Sequence, residues 1–247
     1  MKPHSFTLIS ACAALAMVPM QVLAVPTQAQ EPLVVPHSTP PPTEVDLSAG
    51  WVDPRILGGR MLDWPGGELG EPLNIIVSGL SDPFVLTPTG FRAYTQSIGY
   101  SAECLGLHVG TIHTADLGDG LSARDEQYLA RQQYFPMWGT CWESFAGGHH
   151  FRSWKQNGSL ADSGAWFVGA SQEEHSRKNH MIVEDGWNKG RDWFVERAVA
   201  GTHWKGIWWE ADVEWREGLL DPGHKGINHG IAQDGRVAVL TVRRIWI

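Results

Sequence analysis

The chain has 247 residues, 43% apolar and 19% charged, with a net charge of −8. That acidic balance, with scattered basic residues, argues against a nucleic-acid partner, which needs a basic face against phosphate. Thirteen tryptophans point to a core of bulky rings or an aromatic-lined cleft, and most lie inside strand or helix patterns, which favours the core.

Lys2 and His4 precede an apolar run over 6–24 that ends in Val22-Leu23-Ala24, small residues at the positions a signal peptidase reads. The reading is a signal peptide over 1–24 and a secreted, extracellular protein, with an uncleaved anchor as the alternative. Pro19, Ser10 and Gln21 interrupt the run, and no later stretch is long enough to span a bilayer, so the mature chain is expected to have no transmembrane domain. Residues 25–50 are rich in Pro, Thr, Gln and Ser and read as a linker.

The ordered domain is placed at 71–247. Leu73 to Val77 reads as a central strand. Thr87-Pro88 opens a helix as N-cap and first residue, with Phe91, Tyr94, Thr95 and Ile98 on one face and Gly99 as its stop. His108 and His113 fall on opposite faces of an extended segment, a poor spacing for a shared metal. Asp116 and Asp119 read as a solvated turn. Ala123 to Gln133 reads as a polar helix with Asp125 and Glu126 in its first turn. Strands follow at 149–156, 165–169 and 180–183, then a helix from Lys189 to Ala200 capped by Gly201. Strands at 207–215 and 236–245 close the chain. The tally predicts an α+β single domain, with a mixed or mainly antiparallel sheet and about three helices packed on it.

Two cysteines, Cys104 and Cys141, remain after the leader. In an oxidising compartment that even pair reads as one disulfide, with two buried thiols as the alternative. Asn157-Gly158-Ser159 is a glycosylation sequon in a turn.

HFRSW at 150–154, GAWFVGAS at 164–171, NHMIVEDGWNKGRDWFVERA at 179–198 and QDGRVAVLTV at 233–242 occur in that order, after PLNIIVSG at 72–79. Together they resemble the LssY-type C-terminal domain, including uncharacterised secreted proteins of fungal type, over 71–245. In bacteria that domain often follows a membrane phosphatase. This chain has neither its multi-span region nor its Pro-Ser-Gly-His motif, so the resemblance implies the fold and not phosphatase activity.

No Gly-x-Ser-x-Gly elbow, His-Glu-x-x-His, phosphate loop or dinucleotide fingerprint is present. The candidate catalytic set is His150, Arg152, His180, Asp185, Arg191 and Asp192, with His229 as a further member. His150 and Arg152 are two apart and share a strand face. Imidazole with carboxylate suits a divalent metal, for which His150, His180 and Asp185 are the candidate ligands. Imidazole with Arg suits phosphoryl or carboxylate chemistry. Two functions follow. One is a hydrolase-like enzyme using this cluster, with a small-molecule ligand. The other is a non-catalytic binding or structural protein contacting cell-wall polymer or a protein partner, in which the same polar groups only fasten the fold.

Overall fold

Period-two apolar runs fill the middle and end of the chain, and they pair into one mixed sheet. The computed structural model describes residues 45–245 except Val109; the leader and most of the linker lie outside them. In chain order the elements are β1 (Ile75–Val77), α1 (Pro88–Ile98), β2 (Tyr100–Ser101), β3 (Thr114–Ala115), β4 (Arg124–Asp125), β5 (Tyr128–Gln132), α2 (Gly139–Ala146), β6 (Gly148–Lys155), β7 (Trp166–Glu173), α3 (Gly186–Ala200), β8 (Thr202–Trp204), β9 (Ile207–Arg216) and β10 (Val237–Ile245). The 8-stranded sheet runs β2-β5-β6-β7-β1-β10-β9-β8, and β3 pairs with β4. Only β1–β10 is parallel among the paired strands; the rest are antiparallel. The described residues are therefore α+β, with three α-helices and a mixed sheet.

Alternation sorts each strand into two faces. Ile75, Val77, Phe151, Val168, Ala238 and Leu240 face a core shared with Phe91 and Tyr94 of α1 and Phe194 and Ala198 of α3. Each fully buried Phe there contributes about 2–3 kcal/mol through burial. Ile76, Trp154, Phe167 and Val239 face the other way, onto Met61, Leu117 and Leu220 from loops. The sheet thus has a helix-covered face and a loop-covered face, and the polar site lies on the second.

Local chemistry explains the elements that match expectation. Thr87 Oγ1 accepts from the Gly90 N–H at 3.0 Å, Pro88 fills the first helical position, and Gly99 closes α1 at φ 116. Asn74 extends the β1 ladder with its side chain: Oδ1 accepts from the Ala170 N–H at 3.0 Å, and Nδ2 donates to the carbonyls of Ala170 at 2.9 Å and Trp187 at 3.0 Å. That side chain ties the start of α3 to β7. Gly190 lets α3 approach closely, since a Cβ there would stand 2.3 Å from the Ser171 Cα. Cys104 and Cys141 are joined in a disulfide, with Cα atoms 4.5 Å apart.

Several expectations are corrected. Ala123 to Gln133 is not a helix but β4 and β5, because Tyr128 and Ala130 face the helix-side core while Leu129 and Arg131 face away. Tertiary pairing overrides the helix propensity of Ala, Arg, Glu and Gln there. His180 to Val183 is not a strand: His180 sits at φ 51, and only an isolated bridge joins Ile182 to Glu173. Asp119 is not solvated. It is fully buried, takes a two-pronged pair from Arg124 at 2.8 Å, and accepts from the backbone N–H groups of Asn157 and Gly158. The helix α2 and the strand β8 were not anticipated. No helix of the described residues is long and apolar enough to cross a membrane.

Candidate functional site

On the loop-covered face, neighbouring strands place polar residues in register. Arg131 of β5 pairs with His150 of β6, and His150 with Ser171 of β7. Glu173 lies two residues beyond Ser171, on the same face. Its carboxylate stands 3.2 Å from His150 Nδ1, 3.2 Å from His180 Nδ1 and 3.0 Å from Arg131 Nη1. Arg131 is anchored from behind by Glu143 of α2 at 3.2 Å and by Glu103 at 3.3 Å.

His150 has a defined tautomer. Arg152 Nη1 lies 3.1 Å from His150 Nε2, and a guanidinium only donates, so Nε2 is an acceptor. The proton is therefore on Nδ1, which faces Glu173 and the Ser171 hydroxyl at 3.1 Å. Burial agrees: it pushes the His150 pKa down to about 3, with only the Glu173 charge opposing, and the ring is neutral. For Glu173 burial alone would raise the pKa, but His150, the His180 ring and Arg131 more than offset it and hold it well below the usual carboxylate range. The Glu173 carboxylate beside it raises the half-buried His180 above its ordinary value.

Arg152 leads to a second group. Its Nε contacts Glu126 at 2.8 Å and its Nη1 lies 3.4 Å from Glu71 Oε2. Beside Glu71, His113 Nδ1 lies 2.9 Å from Asp63 Oδ2 and 3.8 Å from Glu71 Oε2. Asp63 and His113 meet because Trp64 and Thr114 pair backbone to backbone, at 2.6 and 3.0 Å. Burial raises Asp63 to about 7, against the Glu71 N–H and the charges of Arg152 and Arg60, and burial lowers His113. Both shifts favour a neutral acid beside a neutral imidazole, the arrangement a low dielectric prefers. Glu71 is also raised, by burial first and then by Asp63.

Both groups open on one cavity of about 640 Å³, whose wall includes Glu71, His113, Arg131, Arg152, Glu173 and His180. Asn228 and His229 close its far side; Asn228 Nδ2 donates to Glu71 Oε1 at 3.1 Å. A smaller hollow of about 190 Å³ between Arg55 and Leu219 has no histidine on its wall. The chemistry and the larger cavity thus coincide.

Of the residues expected from sequence, the structure brings together His150, Arg152 and His180, with His229 across the cavity. It does not bring Asp185, Arg191 or Asp192 there. Asp185 is exposed and accepts from Asn188 at 2.6 Å. Arg191 is buried, pairs with Asp234 at 2.6 and 2.9 Å, donates to the Arg236 carbonyl, and reaches Asp192 at 2.8 Å. It straps α3 to the turn before β10. His150, His180 and Asp185 do not assemble as metal ligands, because Arg152 covers His150 Nε2 and Asp185 faces outward. Among the described residues, the three-donor group with metal-ligand spacing is Asp63, Glu71 and His113. His149, the strand neighbour of His150, is buried on the helix-covered face and stacks on Trp193 at 4.6 Å. Asn157 is exposed in the β6–β7 connection, where its sequon is accessible.

Asp63, Glu71, His113, Arg131 and Glu173 were not anticipated as members. For Glu173 a signal exists: it continues the alternation of Phe167, Gly169 and Ser171. The rest come from loops or from a segment read as helix. Comparison with family models, curated proteins and solved structures finds no match.

Proposed function

We propose that this chain is a secreted, LssY C-terminal-like hydrolase that works by acid–base chemistry in the cavity. The observation that carries the reading is the His180–Glu173 pair at 3.2 Å on the wall of a cavity of about 640 Å³. The Glu173 carboxylate faces His180 at Nδ1, which leaves Nε2 as the nitrogen that exchanges a proton with a ligand, as in other carboxylate-paired imidazoles. Arg131 keeps Glu173 ionised, and Arg152 offers a fixed cation to a polar or anionic group of the substrate. His150 touches both Glu173 and Arg152 and acts as a positioning residue.

The test is turnover by the secreted protein across chromogenic esters, phosphoesters, glycosides and amides, beside His180→Ala and Glu173→Gln. Turnover by the wild type that falls at least about 100-fold in both folded variants supports the reading, since general acid–base groups contribute that much or more. Equal turnover in wild type and variants sinks it.

A second reading has its own observation. Met137, Trp138, Trp142 and Phe145 on and before α2 are 83%, 54%, 50% and 58% exposed, an aromatic strip suited to a cell-wall polymer or protein partner. It predicts retention on wall polymer that Trp138→Ala and Trp142→Ala abolish and His180→Ala leaves intact. Retention indifferent to the two Trp substitutions removes it.

A further inference from the structure

The geometry points to a divalent transition-metal site at Asp63, Glu71 and His113, on the opposite side of the cavity from the His180–Glu173 pair. The inference deepens the hydrolytic reading, but its evidence stands without turnover.

Three observations carry it. The first is spacing. One ligand atom from each residue lies within 4.8 Å of the others, with His113 Nδ1 at 2.9 Å from Asp63 and 3.8 Å from Glu71. A tetrahedral ion with bonds of about 2.0–2.2 Å needs ligand atoms roughly 3.3–3.6 Å apart. The two His113 contacts lie within about half an ångström of that spacing, and the Asp63 and Glu71 ligand atoms are within 4.8 Å of each other.

The second is preorganisation. The Glu71 backbone N–H donates to Asp63 Oδ1 at 2.8 Å and leaves Oδ2 turned to His113. The Asn228 side chain holds Glu71 Oε1 at 3.1 Å. These are the outer contacts that orient metal ligands. The ligand backbones are themselves paired: Asp63 N–H donates to the Glu71 carbonyl at 3.0 Å, and Trp64 and Thr114 exchange hydrogen bonds.

The third is charge. Asp63, Glu71 and His113 are 1%, 7% and 5% exposed. Arg152 is the guanidinium on Glu71, and it also serves Glu126; Arg60 spends its donors on the backbone carbonyls of Leu62 and Asp63. Three carboxylates therefore meet one guanidinium through their side chains, and a divalent ion balances the remainder. Buried carboxylates this close otherwise repel or must share protons.

One imidazole and two carboxylates suit Zn²⁺ or Mn²⁺ better than Ca²⁺, which takes six to eight oxygens. Glu71, His113 and His229 all line the cavity, so the remaining coordination positions face the space a substrate and water would occupy. His229 Nε2, 3.8 Å from Glu71 Oε1, is placed to join or to orient the set.

The test uses the full secreted chain, stripped with chelator and titrated with Zn²⁺ and Mn²⁺ alone, with Mg²⁺ and Ca²⁺ as comparators. The expected result is one Zn²⁺ or Mn²⁺ per chain, with affinity lowered at least about tenfold in Glu71→Gln and in His113→Ala. No stoichiometric ion, or one indifferent to both substitutions, overturns the proposal. If those variants fail to fold, anomalous scattering from wild-type crystals soaked in Mn²⁺ decides: a peak between the three side chains supports it, and a peak elsewhere or none overturns it. A protein that binds the ion but turns over no substrate keeps the metal site and loses the hydrolase.

Discussion

Replacing His149 by Phe should make the protein markedly less sensitive to acid. His149 is 8% exposed, stacks on Trp193 at 4.6 Å with an interplanar angle of 13°, and its Nδ1 has no hydrogen-bond partner among the described residues. Burial, reinforced by the nearby positive charge of Arg197, lowers its pKa from 6.5 to about 4. Above pH 6.5 the ring is neutral in both folded and unfolded chains and adds no pH dependence. As pH falls from 6.5 towards 4 the unfolded chain takes up a proton that the folded chain refuses, so stability is lost. At about 1.4 kcal/mol per pH unit the whole gap amounts to about 3 kcal/mol. For a domain of this size that is a fall in Tm on the order of 10 °C. Phe keeps the stacking and removes the titration. Other acid-sensitive groups, His150 among them, remain in both proteins and cancel in the comparison. The assay is the Tm of wild type and His149→Phe from pH 7.5 to 4, with chemical-shift titration of the wild-type ring. The variant should gain on the wild type steadily below pH 6.5. A difference in Tm that stays constant over that range, or a ring that titrates near 6.5, would refute the reasoning.

Asn74→Leu should cost roughly 2–4 kcal/mol by denaturant unfolding, because it leaves the buried N–H and C=O of Ala170 without partners; a loss under about 0.5 kcal/mol would mean that β7 repairs itself. Reduction, or Cys104→Ser with Cys141→Ser, opens a link across a sequence separation of 37 and should cost about 4 kcal/mol in the loop-entropy model. The same change frees Glu103, adjacent to Cys104, and Glu143, two residues past Cys141. Amide exchange should therefore rise at Arg131 as well as at α2, and unchanged protection there would count against the coupling. Gly190→Ala should prevent α3 from docking, since the new Cβ would fall 2.3 Å from the Ser171 Cα; cooperative unfolding near the wild-type Tm would show that the helix can lift away cheaply.

The sequence was most legible where local rules decide. Thr87-Pro88 and Gly99 bound α1 as their chemistry requires, and β6, β9 and β10 follow their period-two runs. It misled where tertiary pairing decides. Residues 124–132 carry helix-forming side chains, yet Arg124 and Asp125 pair with β3, and Tyr128 to Gln132 lie between β2 and β6, where Leu129, Ala130 and Arg131 are buried. The site divides the same way. His150 and Arg152 share a face by strand periodicity alone, so their juxtaposition could be read directly. Asp63, Glu71 and His113 meet through loop pairings across 50 positions of chain, and no spacing announces them. His113 was set aside because its spacing from His108 is wrong for a shared ligand. The partner that matters is elsewhere in the chain: His108 bonds Glu103, while His113 bonds Asp63.

The two halves of the cavity are joined through a neutral ring. His150 donates from Nδ1 towards Glu173 and accepts at Nε2 from Arg152, so its tautomer is set by opposite charges on its two sides. Protonating the ring would turn Nε2 into a donor aimed at a guanidinium, which burial and Arg152 both oppose. Neutralising Glu173 would remove the negative charge that favours the proton on Nδ1, whose hydrogen-bond partner is the Ser171 hydroxyl. The position of Arg152, and with it the charge presented to Glu71, therefore depends on Glu173 staying ionised. That ionisation rests on His180 and on Arg131, which Glu103 and Glu143 anchor and the disulfide holds in place. The acid–base pair and the proposed metal ligands accordingly belong to one electrostatic unit. Substitutions in one half should be read with the charge state of the other in hand.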